Sequence, residues 1–110
     1  MTSGEHDEVC AVVSHLPHLL ANVYLEAFFA QRKDRASLGG SSFRDWMRIA
    51  GSCPEVWMDI FWTNRHNLIR GIHELQDVLE KITQFLENGD EQALYGFLTR
   101  VSRLKEDLQK

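Results

Sequence analysis

The 110 residues carry 12 basic and 16 acidic side chains, a net charge of −4, and 44% hydrophobic content. That is the size and apolar share of one domain with its own core, and the acidic balance recommends neither nucleic acid nor an anionic membrane as a partner. No apolar run reaches bilayer length and no signal peptide opens the chain, so a cytoplasmic protein is expected.

Taken in order, Met1 to Asp7 is a short polar lead in which Ser3 or Asp7 can cap a helix and Glu5, Asp7 and Glu8 suit its positive end. Val9 to Phe29 is apolar on nearly every face, the pattern of a helix buried on most sides, and the helix should run to about Gln31. Two imidazoles and a proline interrupt it. At about 100° per residue, His15, His18, Asn22 and Glu26 fall within one narrow arc. Polar groups in such a stripe need partners, so the stripe should face water, another polar element or a ligand. Pro17 lacks an N–H and crowds the Val13 carbonyl, so a kink is expected beside the histidines. His15 and His18 thus mark one wall of a candidate site, against the plainer role of hydrogen-bonded core histidines.

Arg32 to Ser42 (RKDRASLGGSS) reads as a loop, either a solvated connector or a lid over a pocket. Phe43 to Gly51 is a short amphipathic helix with Phe43, Met47 and Ala50 on one face. Arg48 can pair with Asp45 at i,i+3, or grip a carboxylate bidentately. Ser52-Cys53-Pro54-Glu55 reads as a capping box with proline in the first turn. From Pro54 to Glu87, Phe61, Leu68, Ile72, Leu75, Leu79, Ile82 and Leu86 form a heptad-like seam. Unbroken, that helix would span roughly 50 Å, against about 35 Å for a globule of this length. It must break near Asn64 or Gly71, or find cover on another chain. Asn88-Gly89-Asp90 supplies a glycine stop and a new N-cap, and Glu91 to Leu108 carries an apolar stripe of Leu94, Phe97, Leu98, Val101, Leu104 and Leu108. The fold class is all-α: long kinked helix, short helix, very long helix, C-terminal helix.

Cys10 and Cys53 show no C-x-x-C spacing and read as reduced thiols. There is no G-x-G-x-x-G turn, P-loop, H-E-x-x-H or G-x-S-x-G. His15-x-x-His18, even with Glu26, falls short of the four ligands of a structural zinc site, so no metal is expected.

Five motifs stand in order: His6-Asp7; V-S-H-L-P-H at Val13 to His18; G-G…F-R-D-x-x-R-I-A at Gly39 to Ala50; S-x-P-x-x-W-x-D-I at Ser52 to Ile60; and Asn64-Arg65. Together they resemble the C-terminal helical domain of the prephenate/arogenate dehydrogenase family. The resemblance implies a 6-phosphogluconate-dehydrogenase-C-terminal-like, intertwined helical homodimer, acting with a Rossmann domain, in cis or in trans, that binds NAD or NADP. It also implies a share in the oxidative decarboxylation of prephenate or arogenate in tyrosine biosynthesis. By the same resemblance His18 contacts substrate, Arg48 binds a substrate carboxylate, Trp57 walls the ring pocket, Asp45 gates it across the dimer, and His15 supports His18; His6 is a lesser candidate.

The sequence departs from the family pattern at Cys53, where an aspartate is usual, at Met47, where a small polar residue is usual, and at Ser41-Ser42. The dinucleotide domain and the family's catalytic histidine are not in these 110 residues. The chain alone should therefore bind no nicotinamide and catalyse no hydride transfer. Its rival reading is a stand-alone helical interaction module that kept the fold and lost the chemistry. A small all-α enzyme or metal protein built on the histidines is the third.

Overall fold

A computed structural model describes residues 1–34 and 39–110. The lid reading of the Arg32 to Ser42 segment rests in part on residues 35–38, which lie outside that description. The described residues are helical, with no strand among them: α1 (Ser3–Cys10), a π turn (Ala11–His15), α2 (Leu16–Phe29), α3 (Ser41–Ile49), α4 (Pro54–Thr63), α5 (Arg65–Glu87) and α6 (Glu91–Leu108). The expected all-α architecture is what forms. Two compact units divide the chain, Met1–Ile72 and His73–Lys110.

In the first unit the helix is capped at Thr2, one residue before Ser3 and five before Asp7, the two expected caps. Thr2 accepts the Glu5 N–H at 3.1 Å while Glu5 Oε2 accepts the Thr2 N–H at 3.1 Å, a reciprocal capping box that Ser3 and Asp7, both inside the helix, do not make. The disturbance expected at Pro17 takes the form of the π turn. Its wider ring relieves the clash of a proline with the carbonyl four residues back, and the Leu16 N–H reaches the Ala11 carbonyl instead.

Two boundaries differ from expectation. Ser41 and Ser42 belong to α3, which starts from Gly40 in extended conformation and ends before Gly51, whose φ of 73° only glycine adopts at no steric cost. Ser52 forms no capping box: its hydroxyl turns back to the Ile49 carbonyl at 2.8 Å, and Cys53 becomes the cap residue with Pro54 in the first turn. The long seam breaks at Asn64, the first of the two expected places, where φ −108° and ψ 25° leave the helix.

Gly71 is not a break but a close approach. It is buried, and a Cβ placed on it would run into Leu16 Cδ1. Among the described residues Ala11, Leu16, Ala21 and Leu68 are the buried apolar side chains, with Leu16 only 7% exposed. Gly71→Ala should therefore lower stability by about 1–2 kcal/mol, since overpacking of a tight contact outweighs the helix propensity gained. A thermal melt that rises on this substitution would contradict the contact.

The expectation that Val9 to Phe29 is buried on most sides fails within a single chain. Val12, Val13, Val23 and Phe28 are all more than half exposed. One face meets the rest of its unit and the other is left without cover.

The second unit is a helical hairpin, the end of α5 and all of α6. Its turn is a Schellman motif: the Asp90 N–H reaches the Phe85 carbonyl at 2.8 Å and the Gly89 N–H the Leu86 carbonyl at 3.3 Å, with Gly89 at φ 63°. Asp90 then caps α6 by accepting the Ala93 N–H at 3.0 Å. Both the glycine stop and the new cap fall where the sequence placed them. Leu79, Leu86, Tyr95, Leu98, Val101, Leu104 and Leu108 in this unit stand 46–75% exposed.

Candidate functional site

The histidine stripe leaves the π turn and α2 on the side of α4. His18 lies face to face with Trp57, ring centroids 3.9 Å apart and planes 19° from parallel. His15 meets the same indole edge-on at 6.4 Å and 86°. Phe61, one turn further along α4, extends the aromatic surface 5.4 Å from Trp57. His15 and His18 are thus brought together with Trp57, about forty residues further along the chain, as one platform.

The rest of the stripe is structural in its bonding. Asn22 Nδ2 donates to the His18 carbonyl at 2.8 Å, and its Oδ1 accepts the Gly51 N–H at 3.0 Å, tying α2 to the α3–α4 connection. Glu26 lines a separate shallow cleft with Asn22, Phe29 and Gly51. Nearby, Tyr24 stacks on Trp46 at 5.0 Å and Phe29 packs on Phe43 at 4.6 Å, which seats α3 against α2.

Beside His15 opens a cleft of about 360 Å³, whose walls include His6, Asp7, Cys10, Asp59 and Asn64. Asn64 was visible in the sequence only as a break and a motif member. It proves to be a junction, donating from Nδ2 to the Asp7 carbonyl at 2.8 Å and reaching His15 Nδ1 at 3.2 Å. No sequence signal pairs residues 49 and 57 positions apart. Among the described residues no group of three potential metal ligands forms.

Arg48 and Asp45 stand apart from this platform. Their side chains are 75% and 70% exposed and pair with each other at 3.7 Å, and no contact joins either to the histidines among the described residues. An exposed pair of this kind is worth little to stability.

Burial holds His15 below its ordinary pKa of 6.5; Asp7 opposes the shift and His18 adds to it. The folded chain therefore favours neutral His15, and the unfolded chain binds more protons wherever the two differ. Stability from this residue is present above 6.5 and is lost as pH falls through the lowered folded value. The melting temperature should decline on acidification below neutrality, and His15→Gln should flatten part of that decline. An unchanged slope in the variant would show that other groups carry it.

Residues 2–100 match the family model described as prephenate dehydrogenase, dimerization domain. Prephenate dehydrogenase of Bacillus subtilis (strain 168) is 31% identical over 114 residues, covering 98% of this chain and 30% of the relative. Cyclohexadienyl dehydrogenase of Zymomonas mobilis is 31% identical over 94 residues, 82% of this chain and 32% of its own length. Among solved structures, prephenate dehydrogenase from A. aeolicus, in complex with hydroxyphenyl propionate and NAD+, aligns with a TM-score of 0.88 at 30% identity over 98% of this chain and 39% of that one. Synechocystis arogenate dehydrogenase aligns at 0.87 and 22% identity, over 97% and 40% respectively, a likeness of fold. The chain spans about 30% of the length of the curated relatives it matches.

Proposed function

Because the chain belongs to the prephenate dehydrogenase dimerization-domain family, we propose that its 110 residues act as one domain, the dimerising and substrate-contacting half of a prephenate or arogenate dehydrogenase. The nicotinamide, NAD or NADP, belongs to a Rossmann domain supplied in cis or in trans, and the setting is cytoplasmic; no helix among the described residues is long and apolar enough to cross a membrane. The observation that carries the substrate half of this reading is the platform of His15 and His18 on Trp57. The indole face opposite His18 suits one face of a six-membered ring, and imidazole nitrogens beside it can bond that ring's polar groups.

Arg48, with Asp45 as its movable partner, is the carboxylate grip. Its exposure in one chain fits a side chain that meets substrate only when a second protomer or domain closes over it. Prephenate is a dianion, and a guanidinium fork holds a carboxylate in a fixed orientation. Calorimetric titration tests the division of labour. Alone, the chain should give no saturable signal with NAD or NADP. Joined to the remainder of the A. aeolicus enzyme, it should bind hydroxyphenyl propionate, and Trp57→Ala should weaken that binding about tenfold, the scale of an aromatic contact. Saturable nucleotide binding by the chain alone would overturn the proposal, as would indifference of the joined protein to Trp57→Ala.

A further inference from the structure

Hydrogen-bond chemistry fixes more of the histidine pair than its position. An amide nitrogen only donates and a backbone carbonyl only accepts. Asn64 Nδ2 faces the Asp7 carbonyl at 2.8 Å, while Asn64 Oδ1 accepts from Asn67 Nδ2 at 2.8 Å. Exchanging nitrogen and oxygen would set two acceptors against each other at Asp7, so the partners determine the orientation of the amide. The same Nδ2 lies 3.2 Å from His15 Nδ1, which must then be the bare nitrogen, and the neutral ring carries its proton on Nε2. His18 is the reverse case. Its Nδ1 lies 3.1 Å from the Ser14 carbonyl and must hold the proton, leaving Nε2 bare.

We propose that Asn64 is a positioning residue which, together with the Ser14 carbonyl, holds the two histidines in opposite tautomers, so that His15 offers an N–H donor and His18 a nitrogen acceptor. Neither Nε2 has a protein partner among the described residues. A ligand reaching both rings must therefore bring an acceptor, such as a carboxylate or carbonyl oxygen, to His15 and a donor, such as a hydroxyl or an ammonium group, to His18. A hydroxylated or amino-bearing carboxylic acid carries both. This assignment of ligand groups rests on the platform being ligand-facing, as argued above; the tautomer lock does not.

Long-range proton–nitrogen correlation spectra of the histidine-labelled chain, taken at mildly alkaline pH, read the lock directly. The expected wild-type pattern is His15 protonated on Nε2 and His18 on Nδ1. Asn64→Asp removes the donor and presents a carboxylate, so the His15 proton should move to Nδ1; Asn64→Ala should give a mixture of tautomers. His18 should keep its pattern in both. A wild-type His15 protonated on Nδ1 overturns the proposal without any variant, and so does a His15 pattern indifferent to both substitutions. In the chain joined to the remainder of the A. aeolicus enzyme, Asn64→Asp should lower kcat/KM about tenfold. If the lock is present in the spectra but kcat/KM is unchanged, the ligand-facing reading fails and the lock stands.

Discussion

Replacing Leu98 and Leu104 together by aspartate is expected to convert the protein from a dimer of about 25 kDa, twice the 12.7 kDa chain, into a monomer. These side chains are 55% and 54% exposed on α6, within a stripe that continues through Val101 and Leu108. Scattered exposed leucines need no explanation, but a stripe sustained along α6, with Leu79 and Leu86 on α5 of the same unit, marks an interaction face. The first unit adds to the case. Among the described residues its buried apolar side chains are only two alanines and two leucines, Ala11, Ala21, Leu16 and Leu68, while Val12, Val13, Val23 and Phe28 are left without cover. Fully burying one leucine contributes roughly 1.5–3 kcal/mol, and about half of that surface is still open at Leu98 and Leu104. In a two-fold dimer each change counts twice, so the double substitution removes about 3–6 kcal/mol, a large share of the roughly 12 kcal/mol of a nanomolar complex. Sedimentation equilibrium at micromolar concentration separates the outcomes. A wild-type protein that sediments as a monomer ends the dimer reading.

Arg48→Lys is expected to weaken substrate binding by roughly 1.5–3 kcal/mol in the joined enzyme, the scale of a charge-assisted hydrogen bond, while leaving the melting temperature almost unmoved. The structure makes the second half of that expectation firm. Arg48 spends its charge on one exposed carboxylate at 3.7 Å, and lysine keeps the charge while losing the planar fork. A change of several degrees in melting temperature with intact kinetics would assign the arginine to local structure and withdraw it from the site. His18→Ala should impair binding or turnover with the dimer intact, since among the described residues the ring meets the Trp57 face and the Ser14 carbonyl of its own helix.

What the sequence displayed was periodicity and punctuation. The seam, the stripe of α6, the stop at Gly89 and the cap at Asp90 are local patterns, and local patterns are what a single chain shows. The histidine arc pointed to a wall because residues at spacings of three and four must share a helical face. Where the reading went astray, a nearby competitor won a hydrogen bond: Thr2 took the cap from Ser3, and the Ile49 carbonyl took the Ser52 hydroxyl. Asn64 stayed hidden for another reason. Its contacts to Asp7 and His15 cross most of the first unit, and nothing local in a sequence reports such pairings. The overestimated burial of Val9 to Phe29 has a third cause. Hydropathy records that a face seeks cover, not whether the cover comes from the same chain.

Turnover in a graft tests the central claim most directly. With this chain in place of the matching segment of the A. aeolicus prephenate dehydrogenase, prephenate-dependent reduction of NAD+ should appear. It should fall by at least about tenfold when Arg48 becomes lysine, the lower end of the binding loss argued above. A graft that folds, dimerises and binds NAD+ yet shows no prephenate-dependent turnover would contradict the account and leave a helical dimerisation module without the chemistry.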